Sequence, residues 1–160
     1  MKPKIYLETT LFNYYFLEDI TRQAEIDATK ELFEEIKKKN FVAYVSDTVI
    51  VELDACPEPK RTNMLSLVKK FRVQELAKRT EVAALAREYI HQKLIPKRKE
   101  ADAIHIASAV CAGLNILVSW NCRHIVRPEI EDKIEAVNVL NGYGKIHLCT
   151  PLEVISYGEK

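Results

Sequence analysis

The sequence predicts an α/β fold, a three-layer α/β/α sandwich on a mostly parallel central sheet, and three observations carry that expectation. Short apolar runs of strand length, KIYLE, FVAYVS, NILVSW and KIHLC, alternate with stretches of helical spacing along the whole chain. NILVSW is apolar almost without alternation, the pattern of a strand covered on both faces. Residues 101–114 are apolar or small at nearly every position, so they read as a helix buried on most of its circumference. With 160 residues, no Gly/Ser-rich or Pro-rich tract and no visible repeat, a single domain over residues 1–160 is expected.

Taken in order, KIYLE at 4–8 is a first strand that ends on an acid, Glu8, and is followed by Thr9 and Thr10, residue types that begin a helix or turn. LFNYYFL at 11–17 is a first helix. Its aromatics exceed what one helix face buries, so part of the run is expected at a homodimer interface. Residues 19–22 read as a loop, and 24–39 show helical spacing through Ile26, Leu32, Phe33 and Ile36, with Lys37, Lys38 and Lys39 as its solvated last turn. FVAYVS at 41–46 is the second strand. Ser46 and Asp47 are N-cap types for a short helix through Val49, Ile50, Val51 and Leu53, which carries Glu52 and stops before CPEP.

A helix over 59–71, a short edge strand over 73–76 and a long amphipathic helix over 81–94 follow. Pro96 then breaks the chain, and Lys97, Arg98 and Lys99 place three positive charges directly before the apolar helix. Gly113 is suited to close that helix ahead of NILVSW at 115–120. A helix over 128–140 and a last strand, KIHLC at 145–149, complete the alternation.

Composition limits the function classes. Lys plus Arg number 24 against 23 Asp plus Glu, so a polyanion must be held by local patches rather than by the field of the whole molecule. The start, MKPKIYLE, lacks a long apolar region, and no stretch is long enough to span a bilayer, so a cytoplasmic protein without a membrane role is expected. Cys56, Cys111, Cys122 and Cys149 form no CxxC pair and read as small core residues rather than zinc ligands or a disulfide framework.

Polar residues interrupt the apolar helix at one spacing only. Asp102, His105 and Ser108 recur every three residues and draw a polar seam along it. A carboxylate placed there needs a hydrogen-bond donor, a counter-charge or a metal, or else it keeps its proton. In an open parallel sheet, ligands bind beyond the carboxyl ends of the strands, at the point where strand order reverses. Glu8 closes the first strand, Glu52 follows the second, Asp102 begins the buried helix and Asn121 follows the central strand, so all four are expected at one edge. Each acid alone also reads as an ordinary surface or capping residue. Together they make a hard-oxygen set of the kind that suits Mg²⁺ or Mn²⁺, because a divalent cation keeps clustered carboxylates ionised. His105 reads either as a group that orients Asp102 or binds substrate, or as a satisfied core histidine. His124 could face the cleft, and Trp120 reads as core packing rather than as a base-stacking platform.

These residues carry a resemblance. YLETT, VIVEL, EADAIHIASA and VSWNCRHI, in this order and spread over almost the whole chain, resemble the four motifs of the PIN-domain ribonucleases. The resemblance implies a PIN-like sandwich and a Mg²⁺- or Mn²⁺-dependent endoribonuclease, with Glu8, Glu52 and Asp102 as acidic metal-site residues and Asn121 as fourth member of the catalytic quartet. Thr9 and Ser119 become supporting hydroxyls, as does His105 a supporting residue, and Lys97, Arg98 and Lys99 become RNA phosphate contacts or else a solvated loop. It further implies the toxin of a type II toxin–antitoxin pair, with RNA as substrate, an antitoxin protein as partner and a homodimer as assembly. Two departures stand out. Glu8 occupies a place where Asp is usual, moving the carboxylate by roughly 1.5 Å, one carbon–carbon bond. Asn121 replaces a frequent Asp and removes a negative charge, so metal affinity is expected to be weaker or to depend on substrate phosphate. A PIN-like domain so weakened, acting as an RNA- or protein-binding module, is the alternative, and a metal hydrolase for DNA or phosphate esters is a third possibility.

Overall fold

Five short strands determine where the functional side chains come to lie. The protein is described by a computed structural model over residues 2–158. Strands β1 (Lys4–Leu7), β2 (Val42–Val45), β3 (Gln74–Glu75), β4 (Ile116–Val118) and β5 (His147–Cys149) form one sheet in the order β3-β2-β1-β4-β5. Every pairing is parallel, so the sheet expected to be mostly parallel is wholly so. Tyr6 pairs in register with Tyr44 on one side and Leu117 on the other, and Leu7 with Val118. Central position explains composition: Ile5, Tyr6 and Leu7 of β1 are all fully buried, as a strand covered on both faces requires.

Each crossover is helical, through α1 (Thr10–Tyr15), α2 (Gln23–Lys37), α3 (Asp47–Asp54), α4 (Lys60–Lys70), α5 (Glu81–His91), α6 (Glu100–Cys111) and α7 (Pro128–Leu140), and α8 (Pro151–Gly158) follows the last strand. α2 packs on α1 and α8, while α5 packs on α6 and α7, giving the helical layers of a three-layer sandwich. A single hydrophobic core runs through them, from Phe12, Leu32 and Phe33 through β1 to Ile106, Leu117 and Ile134. Ser46 is the N-cap of α3, its Oγ accepting from Val49 N at 3.4 Å. α6 is buried along Ala103 and from His105 to Cys111, as its apolar sequence predicts.

Three local expectations change. α8 has no counterpart in the sequence reading, although TPLE at 150–153 resembles a capping box, and Thr150 N indeed meets Glu153 Oε1 at 3.5 Å. β4 spans Ile116–Val118, shorter than the strand expected over 115–120. The aromatic run is absorbed within the chain rather than left over: α1 ends at Tyr15, Tyr14 stacks on Trp120 at 5.5 Å, and Tyr15 packs against both Phe33 and Phe71. Only Phe16, 37% exposed, stands among the large exposed apolar side chains of that run. Among the described residues no helix is long and apolar enough to cross a membrane.

Candidate active site

Strand order reverses between β1 and β4, and beyond their carboxyl ends lie most of the buried polar side chains among the described residues. Glu8 N still donates to Val118 O at 3.1 Å, so the residue is fixed by the sheet although it lies beyond β1. Its side chain is 4% exposed. A single oxygen, Oε1, accepts from Thr10 N at 2.9 Å, Thr10 Oγ1 at 2.5 Å and Ser119 Oγ at 2.8 Å. The same two hydroxyls accept from the β4 exit, Thr10 Oγ1 from Trp120 N and Ser119 Oγ from Asn121 N. Two hydroxyl groups therefore bind the ends of both strands to one carboxylate oxygen, in charge-assisted bonds that compensate its burial.

Glu52, on α3, is held by a second chain of bonds. Its Oε1 accepts from Thr9 Oγ1 at 2.7 Å and lies 2.6 Å from His105 Nε2. Behind it, Tyr6 Oη stands 2.7 Å from both His105 Nδ1 and Ser46 Oγ. The hydroxyl pair can run in either direction, so neutral imidazole and imidazolium alike are partnered at both ring nitrogens. Burial disfavours the imidazolium, but the bond to Glu52 and the charges of Glu8, Glu52 and Asp102 outweigh it and raise the His105 pKa. Burial likewise works against the Glu52 carboxylate, and the His105 and Thr9 bonds overcome it and lower its pKa.

Asp102 sits in the first turn of α6, where the helix dipole favours an acid. It is half-buried rather than enclosed, yet its Oδ2 is buried without a hydrogen-bond partner. Burial raises its pKa, opposed by the Asn121 side chain and by the charges of His105, His124 and Lys99. Asn121 organises the turn after β4: its Oδ1 accepts from His124 N at 3.0 Å and its backbone carbonyl from Ile125 N and Val126 N. His124 Nε2 is also buried and unpartnered, and burial pushes its pKa down, with Arg98 and Lys99 adding to the shift. Lys97–Lys99 form an exposed 3-10 turn leading directly into α6, which places their charge beside Asp102.

Each residue expected at the site, Glu8, Thr9, Glu52, Asp102, His105, Ser119 and Asn121, thus meets at least one of the others, directly or through a shared bond. Of the readings open for His105, the structure bears out the satisfied buried histidine: it bonds to Glu52 and Tyr6 and not to Asp102, which faces the β4 exit. Sequence reasoning missed Tyr6, Ser46 and Thr10 as parts of the site. Tyr6 reads as a core aromatic on a central strand and is fully buried; only the hydroxyl on that ring was a signal, since a buried phenol must find a partner.

Hard oxygens with an unpartnered Asp102 Oδ2 match a divalent cation in kind. Among the described residues, however, no three His, Cys, Asp or Glu side chains are grouped to hold a metal ion. Glu8 Oε1 and Glu52 Oε1 are already committed to protein donors. Such a donor set fits a cation bound by one or two carboxylates and completed by water or phosphate, the usual mode of Mg²⁺, and not an all-protein cage. No protein-family model matches this chain, and no curated protein sequence matches it.

Proposed function

We propose that this protein is a Mg²⁺- or Mn²⁺-dependent endoribonuclease that hydrolyses RNA phosphodiester bonds. The observation that carries the reading is the placement of three carboxylates, just past β1, on α3 and in the first turn of α6, within electrostatic reach of one buried histidine, one of them with a buried unpartnered oxygen. Bound there, the cation would supply a more acidic water and charge compensation at the phosphate. Asp102 and the free oxygens of Glu8 and Glu52 would hold it. Ser119 and Thr10 fix Glu8, and His105 and Thr9 fix Glu52, so neither acid swings when substrate arrives. Asn121 faces Asp102 as a neutral donor, and Lys97, Arg98 and Lys99 offer phosphate contacts at the mouth. Single-stranded RNA incubated with Mn²⁺ is expected to be cut by the wild type and not by Asp102→Asn, with Mn²⁺ binding weakened in parallel. Absence of both cleavage and metal binding in the wild type overturns the reading.

A second reading, a PIN-like binding module without catalysis, is favoured by the absence of a three-ligand group among the described residues and by the two committed carboxylate oxygens. The same titration decides between them. The toxin role and cytoplasmic location belong to the proposal as well; a neighbouring antitoxin gene and growth arrest on expression are what they require. A homodimer would use Phe16 and Ile20, 37% and 89% exposed, since Tyr14 and Tyr15 have partners inside the chain. Sedimentation as a monomer at micromolar concentration rules it out.

A further inference from the structure

Most buried polar atoms in a folded chain find a hydrogen-bond partner, so one that lacks a partner points to a water, an ion or a ligand at that spot. Among the described residues three side-chain atoms are buried and unpartnered, Glu25 Oε2, Asp102 Oδ2 and His124 Nε2. Glu25 Oε2 has a compensating charge in Arg22, at 3.8 Å. The other two belong to one place.

Asn121 stands between them. Its Oδ1 accepts from His124 N at 3.0 Å, and its side chain lies beside Asp102, whose ionised form it favours. Asp102 and His124 are also within electrostatic reach of each other. The preceding residues of the turn, Cys122 and Arg123, are exposed, whereas His124 is folded inward and is 8% exposed. Burial, with the charges of Arg98, Lys99 and Arg123, outweighs the pull of Asp102 and lowers the His124 pKa, which favours the neutral ring, the form that ligates metals.

A neutral imidazole with its proton on Nδ1 and an ionised carboxylate are two neighbouring acceptors, and they call for a shared donor or cation. A water satisfies both atoms but leaves Glu8, Glu52 and Asp102 uncompensated, whereas a divalent cation also offsets their charge. Mg²⁺ takes oxygen ligands almost exclusively. Imidazole suits the first-row transition ions, so a nitrogen in the site discriminates between the two metals left open above.

We propose that His124 Nε2, together with Asp102 Oδ2, is a ligand of the site's metal ion, and that this nitrogen makes the site select Mn²⁺ over Mg²⁺. Water or substrate phosphate completes the shell, since no three such side chains are grouped among the described residues. The presence of a metal at these acids rests on the nuclease reading; the assignment of the nitrogen rests on the two unpartnered atoms.

Pulsed electron paramagnetic resonance of Mn²⁺ added to the whole chain reads the ligand directly, because a bound imidazole imprints a nitrogen modulation on the manganese echo. The modulation is expected in the wild type and not in His124→Phe, which keeps a flat buried ring. His105 is no rival source, as both of its ring nitrogens are bonded within the protein. In titration calorimetry His124→Phe is expected to weaken Mn²⁺ binding about tenfold or more and Mg²⁺ binding less than about threefold. The wild-type echo requires no variant, so it stands even where His124→Phe folds poorly. Bound Mn²⁺ without nitrogen modulation, modulation that persists in His124→Phe, or an unchanged ratio of Mn²⁺ to Mg²⁺ affinity overturns the proposal, and Asp102-dependent RNA cleavage under the same conditions leaves the nuclease reading standing. Modulation lost in His124→Phe, with no RNA cut by the wild type, refutes the nuclease reading and keeps the ligand. No Mn²⁺ binding at all overturns both.

Discussion

The two ends of the sheet both gather charge of one sign from segments far apart in sequence, and they treat it in opposite ways. At the carboxyl end, Glu8 and Glu52 are bound by hydroxyls, an amide and an imidazole at 2.5–2.9 Å, and Glu8 is 4% exposed. At the amino end, Lys2, Lys37, Lys39, Lys70 and Arg72 stand exposed, and among the described residues none has an ion-pair partner. Desolvation explains the contrast. A buried carboxylate without donors costs several kcal/mol, so its neighbours must be specified to a fraction of an ångström. An exposed ammonium keeps its water and specifies nothing until an anion arrives. One end should therefore answer to single-atom changes in stability, and the other should not.

The largest expected effect is that of Tyr6→Phe, which keeps the ring and removes one oxygen. It leaves His105 Nδ1 and Ser46 Oγ without their shared partner, and a loss of about 1–3 kcal/mol in urea denaturation is expected, with RNA cleavage at least tenfold slower. A neutral result would mean that the buried chain behind Glu52 does not fix it, and the contrast between the two ends would fail.

Asp102 sharpens the comparison, because of the three site acids it is the one with a buried oxygen that has no partner. Its folded pKa is raised by burial above the unfolded value, so the stability tied to its proton is present at low pH and is lost as pH rises through the folded value. Asp102→Asn is expected to remove that penalty, giving a modestly higher melting temperature at pH 7, while cleavage is lost. Thermal melts from pH 3 to 8 should show the gain shrinking as pH falls through the raised folded value and vanishing below the ordinary aspartate range. A gain independent of pH would place its cause elsewhere. The smallest effect belongs to the amino end, where neutralising Lys39 or Arg72 is expected to change stability by less than about 0.5 kcal/mol at moderate salt. A loss well beyond that would show a structural role for the cluster.

Much of this architecture was legible because its signals are local. KIYLE, FVAYVS and NILVSW announce strands, and the stretch around Asp102, His105 and Ser108 announces a buried helix with a polar seam. The positions of Glu8, Glu52 and Asp102 at strand exits and a helix start followed from the same periodicity, and the structure brings them to one edge. The partners of those acids were not legible. Tyr6 and His105 are separated by 99 residues and Ser119 and Glu8 by 111, and a hydroxyl on a core ring gives no periodic sign of where it points.

By itself, then, the sequence determined the order of the strands and of every helix but α8, and which acids stand at element ends, since period and capping are properties of neighbouring residues. Only the tertiary structure decided that His105 serves Glu52 and not Asp102, that Thr10 and Ser119 converge on one oxygen, and that lysines ending two separate helices share a cavity with Lys2. Those outcomes depend on how far each helix is rotated against the sheet, which packing of the whole core settles and no local stretch encodes.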